Sequence, residues 1–309
     1  AASPNGPQNF AHSVQSLVSV IDLATDSEEV ARTINLNKLI REQQRDTDMD
    51  DNAGRRFMNT IVGVDFVNRD DAIIGYVASS ASDIVLRVTW AETATASVGA
   101  PQAFNIAVGQ SPQGIVTKLG SSHAGAFVGN LITRDLSIVS FRDQRQLKVV
   151  SSTDQPTDPM TDAFKVWKGK RFFLTSTGIW SKEGWGSCQG CHPMGLTDNV
   201  TWKFGAGPRQ TVSLDGQFAS NDSRDMRALN WTAIFDETAD FELNIRGTSG
   251  GSGTLKNMMG AIATPNPMML NPAPPPLSGI LMEDGTTREN HQALNGSTTF
   301  LAKSPAVCT

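Results

Sequence analysis

The chain has 309 residues, 26 basic and 31 acidic side chains, a net charge of −5 and a pI near 5.4. This balance argues against nucleic acid, which calls for a basic patch. No apolar run approaches the roughly 20 residues a membrane-spanning helix needs. The length suffices for about two domains with a sizeable core.

Residues 1–158 read as a β domain. Leu17-Val18-Ser19-Val20-Ile21-Asp22-Leu23 is a β-branched run ended by Ala24-Thr25-Asp26-Ser27. Ile73–Ala78 and Ile84–Val88 are two more, separated by Ser79-Ser80-Ala81-Ser82. The fullest unit runs from Phe104 to Val150: the turn Gly109-Gln110-Ser111-Pro112-Gln113-Gly114, then Ala126–Asn130, Leu136–Phe141 and Leu147–Val150. These runs repeat one grammar.

On Gly109–Gly114, Phe127-Val128-Gly129-Asn130 and Val18-Ser19-Val20-Ile21-Asp22, residues 17–150 resemble the YVTN-type β-propeller repeats. The resemblance implies four-stranded antiparallel blades, arranged as a propeller or an open array. About three blades can be counted, where a closed propeller needs at least four. An unspecified β-sandwich is the alternative.

Asp154-Gln155-Pro156-Thr157-Asp158-Pro159 breaks regular structure and marks a linker. A second domain of residues 159–309, helical and irregular, is expected to follow. Thr161–Phe173 opens it as a helix capped by Asp158 or Thr161. Ahead lies Cys188-Gln189-Gly190-Cys191-His192, in a chain with only three Cys and four His. C-x-x-C-H is the attachment signature of a c-type haem: each thiol adds to a vinyl group, and the adjoining His binds the iron. A thiol redox pair would sit near a βαβ pattern, and zinc would need a second ligand pair; neither is evident. One covalent haem is therefore expected on Cys188 and Cys191, with His192 as proximal iron ligand. Trp180 and Trp185 precede the motif, where a large apolar ring needs cover, although both serve equally well as ordinary core.

Trp202-Lys203-Phe204, Gly207-Pro208-Arg209-Gln210-Thr211 and Asn230-Trp231 follow the motif. In order, residues 164–245 resemble the first haem domain of bacterial di-haem cytochrome c peroxidases and their relatives. That resemblance implies haem contacts from Trp202 and Arg209. The chain departs from the family in two ways. It has no His in the stretch before Gly207 where the family's distal ligand stands, and no second C-x-x-C-H. The sixth iron ligand stays open. Met226, Met258, Met259, Met268, Met269, Met282, His123 and His291 are the options, and Met258 or Met259, after a Gly-rich loop, is favoured. Residues 264–276 hold six prolines and should form an extended arm across a surface or partner.

Together these features predict a c-type cytochrome for electron transfer in the periplasm or extracellular space. It would work with other redox proteins or haem subunits in an oligomer or larger complex. A peroxidase-like enzyme and a structural subunit of a multi-protein complex are the alternatives. Cys308, without an evident partner, adds to the expectation of an assembly.

Overall fold

The β-branched runs fold as antiparallel strands in the computed structural model, which describes residues 15–44, 54–69, 72–90, 96–120, 124–178, 180–204, 207–215, 242–251, 255–257 and 280–282. The described residues are mainly β and form two units. One takes those up to Asp154 together with Glu183–Trp185; the other takes Gln155–Lys182 and those from Gly186 on.

The first unit begins with β1 (Leu17–Val18), β2 (Ile21–Asp22), β3 (Ser27–Glu28) and β4 (Ile34–Asn35), paired as β1 with β4 and β2 with β3. The single strand expected over Leu17–Leu23 is thus two short ones. A 3-10 turn at Val30–Arg32 interrupts the returning chain and separates the two pairings. Helix α1 (Leu36–Gln43) follows, with Asn35 as its cap accepting a hydrogen bond from the Lys38 amide at 2.9 Å. Its Leu36, Leu39 and Ile40, at i, i+3 and i+4, are buried.

Strands β5 (Ile61–Arg69), β6 (Ala72–Ser79), β7 (Ile84–Trp90) and β8 (Ser97–Val98) form the first sheet, with β9 (Ile106–Ala107) also paired to β7. Strands β10 (Pro112–Lys118), β11 (Gly125–Asn130), β12 (Asp135–Ser140) and β13 (Arg145–Ser151) form the second in simple sequence order. Three of the four runs expected from Ile73 to Phe141 lie within these strands, and the fourth, Leu136–Phe141, runs one residue past the end of β12. The sequence reading missed α1 and β5.

The core lies between the two sheets. Ile74, Tyr76, Ala78 and Val85 of the first meet Ala126, Val128 and Val139 of the second. Tyr76 stacks on Phe141 with ring centres 4.0 Å apart, and its hydroxyl accepts from Gln144 Nε2 at 3.1 Å. Asp65 on β5 accepts from the Thr117 amide on β10 at 2.7 Å, which lowers its carboxyl pKa. Among the described residues the sheets do not close into a barrel.

The turn entering β10 depends on one glycine. Gly109 donates to Ser137 Oγ at 3.1 Å, and Asn130 Nδ2 donates to Asp135 Oδ1 at 2.6 Å beside it. A Cβ on Gly109 would collide with Thr133 Oγ1 and stand 2.6 Å from both Asn130 Nδ2 and Asp135 Oδ1. Gly109→Ala is expected to lower stability by about 1–3 kcal/mol, the usual penalty for overpacking. A urea-unfolding midpoint equal to the wild type would disprove that account.

In the second unit, α2 (Asp162–Leu174) is capped by Thr161, the second of the two residues expected there, whose Oγ1 accepts from the Phe164 amide at 3.3 Å. Phe172 packs on Trp180 at 4.7 Å between ring centres, with Ile245 of α3 (Glu242–Ser249) against them; β14 and β15, placed below, lie between α2 and α3 in the chain.

Candidate functional site

Cys188–Gly190 forms a 3-10 turn beside α2, and Gln189 Nε2 donates to the Leu174 carbonyl at the helix end at 2.8 Å. The amides of Cys191 and His192 both donate to the Cys188 carbonyl, at 3.2 and 2.8 Å. One compact turn therefore gathers the two thiols and the imidazole. Cys188 and Cys191 are both free thiols.

The chain after the motif returns to hold the imidazole. Pro193–Gly195 makes a second 3-10 turn, with Met194 at φ 56° and Gly195 at φ 80°. Strands β14 (Thr201–Phe204) and β15 (Gly207–Gln210) form a hairpin that Val212 leaves directly. The Leu214 amide donates to the Gly195 carbonyl at 2.8 Å. This places the Val212 carbonyl 2.8 Å and the Leu196 carbonyl 3.3 Å from His192 Nδ1. Nδ1–H donates to Val212, so the neutral ring carries its free lone pair on Nε2. Burial lowers the His192 pKa, opposed by the hydrogen bonds to Val212 and Leu196 and by the charge of Asp198. The neutral imidazole is the form that binds a metal.

Asp198 organises the rest. Its carboxylate accepts from the Val200 amide and from Trp202 Nε1, each at 2.9 Å. Trp202 stands directly opposite Arg209 across the hairpin, so the fold brings together two of the residues singled out as haem contacts. Arg209 donates to the Pro208 carbonyl at 2.9 Å. Trp180 is buried in the second unit, donating to the Thr175 carbonyl at 3.2 Å. Trp185 is buried with the first unit, where its carbonyl accepts from Asn59 Nδ2 at 2.5 Å.

Protein packed around Cys188 pushes its thiol up to about 11, while solvent exposure of the residue limits how far that push extends. Cys191, less exposed, is pushed to about 12 by burial first and then by Asp198. Both are thiols at neutral pH, unlike the depressed thiolates of redox C-x-x-C pairs. In the haem-free chain, alkylation of Cys191 at pH 8 should run at least about 100-fold slower than that of a free cysteine, with Cys188 faster than Cys191. A rate equal to that of glutathione at both positions would contradict this.

Among the described residues no group of three or more His, Cys, Asp and Glu side chains is placed to hold a bare metal ion. The donor set of Cys188, Cys191 and His192 instead fits haem: two attachment sulfurs and one oriented imidazole nitrogen. The sequence options Met226, Met258, Met259, Met268, Met269, His123 and His291, together with Cys308 and the 264–276 arm, lie outside the described residues. Met282 ends β17 (Ile280–Met282), which pairs with β16 (Leu255–Asn257). Sequence reasoning missed Asp198 and Val212. Asp198, four residues before Trp202, was readable as a partner for the indole, whereas a backbone carbonyl leaves no sequence signal. No protein-family model and no curated protein matches this chain.

Proposed function

We propose that the chain is an exported c-type cytochrome that carries one haem on Cys188 and Cys191 and passes electrons within a larger assembly. The observation that carries this reading is the pairing of the C-x-x-C-H turn with the Val212 carbonyl. A histidine that binds iron through Nε2 needs its other nitrogen fixed by an acceptor, which sets both tautomer and ring orientation. His192 has that acceptor at 2.8 Å. When bound, haem supplies a one-electron Fe(III)/Fe(II) couple.

The residues of the chain do the rest. Cys188 and Cys191 tether the ring, and His192 presents Nε2. Asp198 fixes Trp202 through its indole N–H and adds negative charge near His192. That charge favours the more oxidised, more positive state of a metal centre. The two four-or-more-stranded sheets of the first unit support a reading of them as propeller-type blades that dock partners.

The test is denaturing gel electrophoresis of natively isolated protein with haem staining, followed by intact mass. A stained band and a mass of 33.1 kDa plus one haem are expected. A mass equal to the bare polypeptide would overturn the reading. The reduced absorption spectrum then separates roles: a low-spin spectrum unmoved by carbon monoxide supports transfer, and a high-spin ferric spectrum counts against it.

A further inference from the structure

The first unit carries two exposed apolar surfaces of opposite charge. One is the outer face of the second sheet. Cross-strand register aligns Val116, Phe127, Ile138 and Lys148 in one row, and Gly129, Leu136 and Val150 in the next. These residues alternate with Ala126, Val128 and Val139, which face the core, so they project to the other side. Val116 is 62% exposed, and Phe127 and Val150 are also exposed. A third row on this face runs Lys118, Gly125, Ser140 and Arg145, so its cations are Lys118, Lys148 and Arg145. The one acid bonded to it is Asp143, whose carboxylate accepts from Ser140 Oγ at 2.9 Å at the Arg145 end, and the balance stays basic. Strands apolar on both faces are ordinarily covered on both faces.

The other surface is the N-terminal hairpin. Exposure alternates along Leu17–Leu23, so Leu17, Ile21 and Leu23 share the outward side. Leu23 is 91% exposed, and Val30 on the return is 73% exposed. Glu28 stands opposite Ile21 in the register. Asp22, Asp26, Glu28 and Glu29 accompany a single cation here, Arg32, which is already paired with Glu29 at 3.3 Å.

We propose that these surfaces are the two halves of one interface, and that a second copy of this chain lays its acidic hairpin, 17–30, on the basic outer face of the second sheet. The row ending in Lys148 and the pair Ile21–Glu28 each set an apolar centre beside a charge, of opposite sign. Two basic faces, or two acidic hairpins, would repel across a self-complementary contact; only the face-to-hairpin pairing satisfies both charges. Two copies can exchange this contact reciprocally about a two-fold axis, or copies can add head-to-tail in a ring or an open row. The inference does not rest on haem binding, because neither surface includes a residue of that site.

Sedimentation velocity on the full natively isolated chain tests it. The wild type should give species above 33.1 kDa that grow with concentration and dissociate as salt rises. Val116→Asp with Val150→Asp blocks the face, and Leu23→Asp blocks the hairpin; each alone should sediment as a monomer. Mixed in equal amounts they should form a 1:1 dimer, because each retains the half that the other lacks. A wild type monomeric at all concentrations overturns the proposal, as does a blocked pair that fails to dimerise on mixing. Circular dichroism checks that the variants fold. If they do not, charge exchange replaces them: Lys148→Glu or Glu28→Lys should each weaken association by about tenfold, and the two in one chain should restore it. Failure of the double exchange to restore association would equally overturn the pairing.

Discussion

Glu183→Gln is expected to destabilise the first unit by about 3–5 kcal/mol, the usual penalty for breaking a buried ion pair at one partner. Arg55 Nε and Nη2 donate to the two Glu183 carboxylate oxygens at 3.0 and 2.8 Å. Their side chains are only 2% and 9% exposed, so the pair is not the weak surface kind. Arg55 also stacks on Phe57, with its guanidinium carbon 5.2 Å from the ring centre. The neutral amide keeps the shape and loses the charge that faces the guanidinium through two hydrogen bonds. The midpoint of thermal unfolding should fall by roughly 10 °C. Glu183 sits at φ 52° and ψ 31°, a left-handed conformation that glycine adopts freely. Glu183→Gly therefore relieves about 1 kcal/mol of backbone strain and should still be destabilised, because the ion pair outweighs it. Arg55→Met combined with Glu183→Leu removes both charges and should recover most of the loss. A Glu183→Gln midpoint within about 1 °C of wild type would refute this account.

Cys188→Ser with Cys191→Ser is expected to abolish haem staining completely while leaving the β unit folded. A serine hydroxyl is far less nucleophilic toward a vinyl group than sulfur and forms no stable link under the same conditions. The turn itself should survive, because it is held by main-chain bonds to the Cys188 carbonyl and by Gln189 to Leu174. His192 keeps its bond to Val212 in the variant. Each single Cys→Ser variant should retain one thioether at reduced yield, and circular dichroism should match the wild type throughout. Undiminished staining of the double variant would exclude thioether attachment at these cysteines.

Where one residue pattern decides an element, the sequence was informative. Short apolar runs bounded by polar turns marked β6, β7, β11 and β12, and Thr161 marked the start of α2. Strand β5 escaped because Gly63, Asp65 and Asn68 interrupt its apolar residues; its place follows from pairing with β6 over Ile61–Arg69. Helix α1 escaped because its apolar stripe is only Leu36, Leu39 and Ile40 among polar neighbours. At the candidate site, Cys188, Cys191 and His192 were singled out from spacing alone. Their supports were not: Val212 acts through its backbone, and Asp198 acts through a tryptophan that was itself noticed only by resemblance. The ion pair of Arg55 with Glu183 is equally silent, because nothing local links residues 128 apart.

That separation has a consequence for the order of events during synthesis. Glu183–Trp185 completes the first unit: the Phe57 amide donates to the Glu183 carbonyl at 2.9 Å, and Ser82 Oγ to the Gly184 carbonyl at 3.0 Å. A chain emerging N-terminus first can build both sheets, yet it leaves Arg55, Phe57, Asn59 and Ser82 without these partners until residue 185 is released. Closing so long a loop is entropically costly before the reward of contact arrives, so this contact is expected to form late in folding. Cys188 and Cys191 follow only three and six positions after Trp185. The two cysteines thus emerge almost together with the last segment the β unit requires, so completion of that unit and the arrival of the C-x-x-C-H turn fall within one short interval of chain growth.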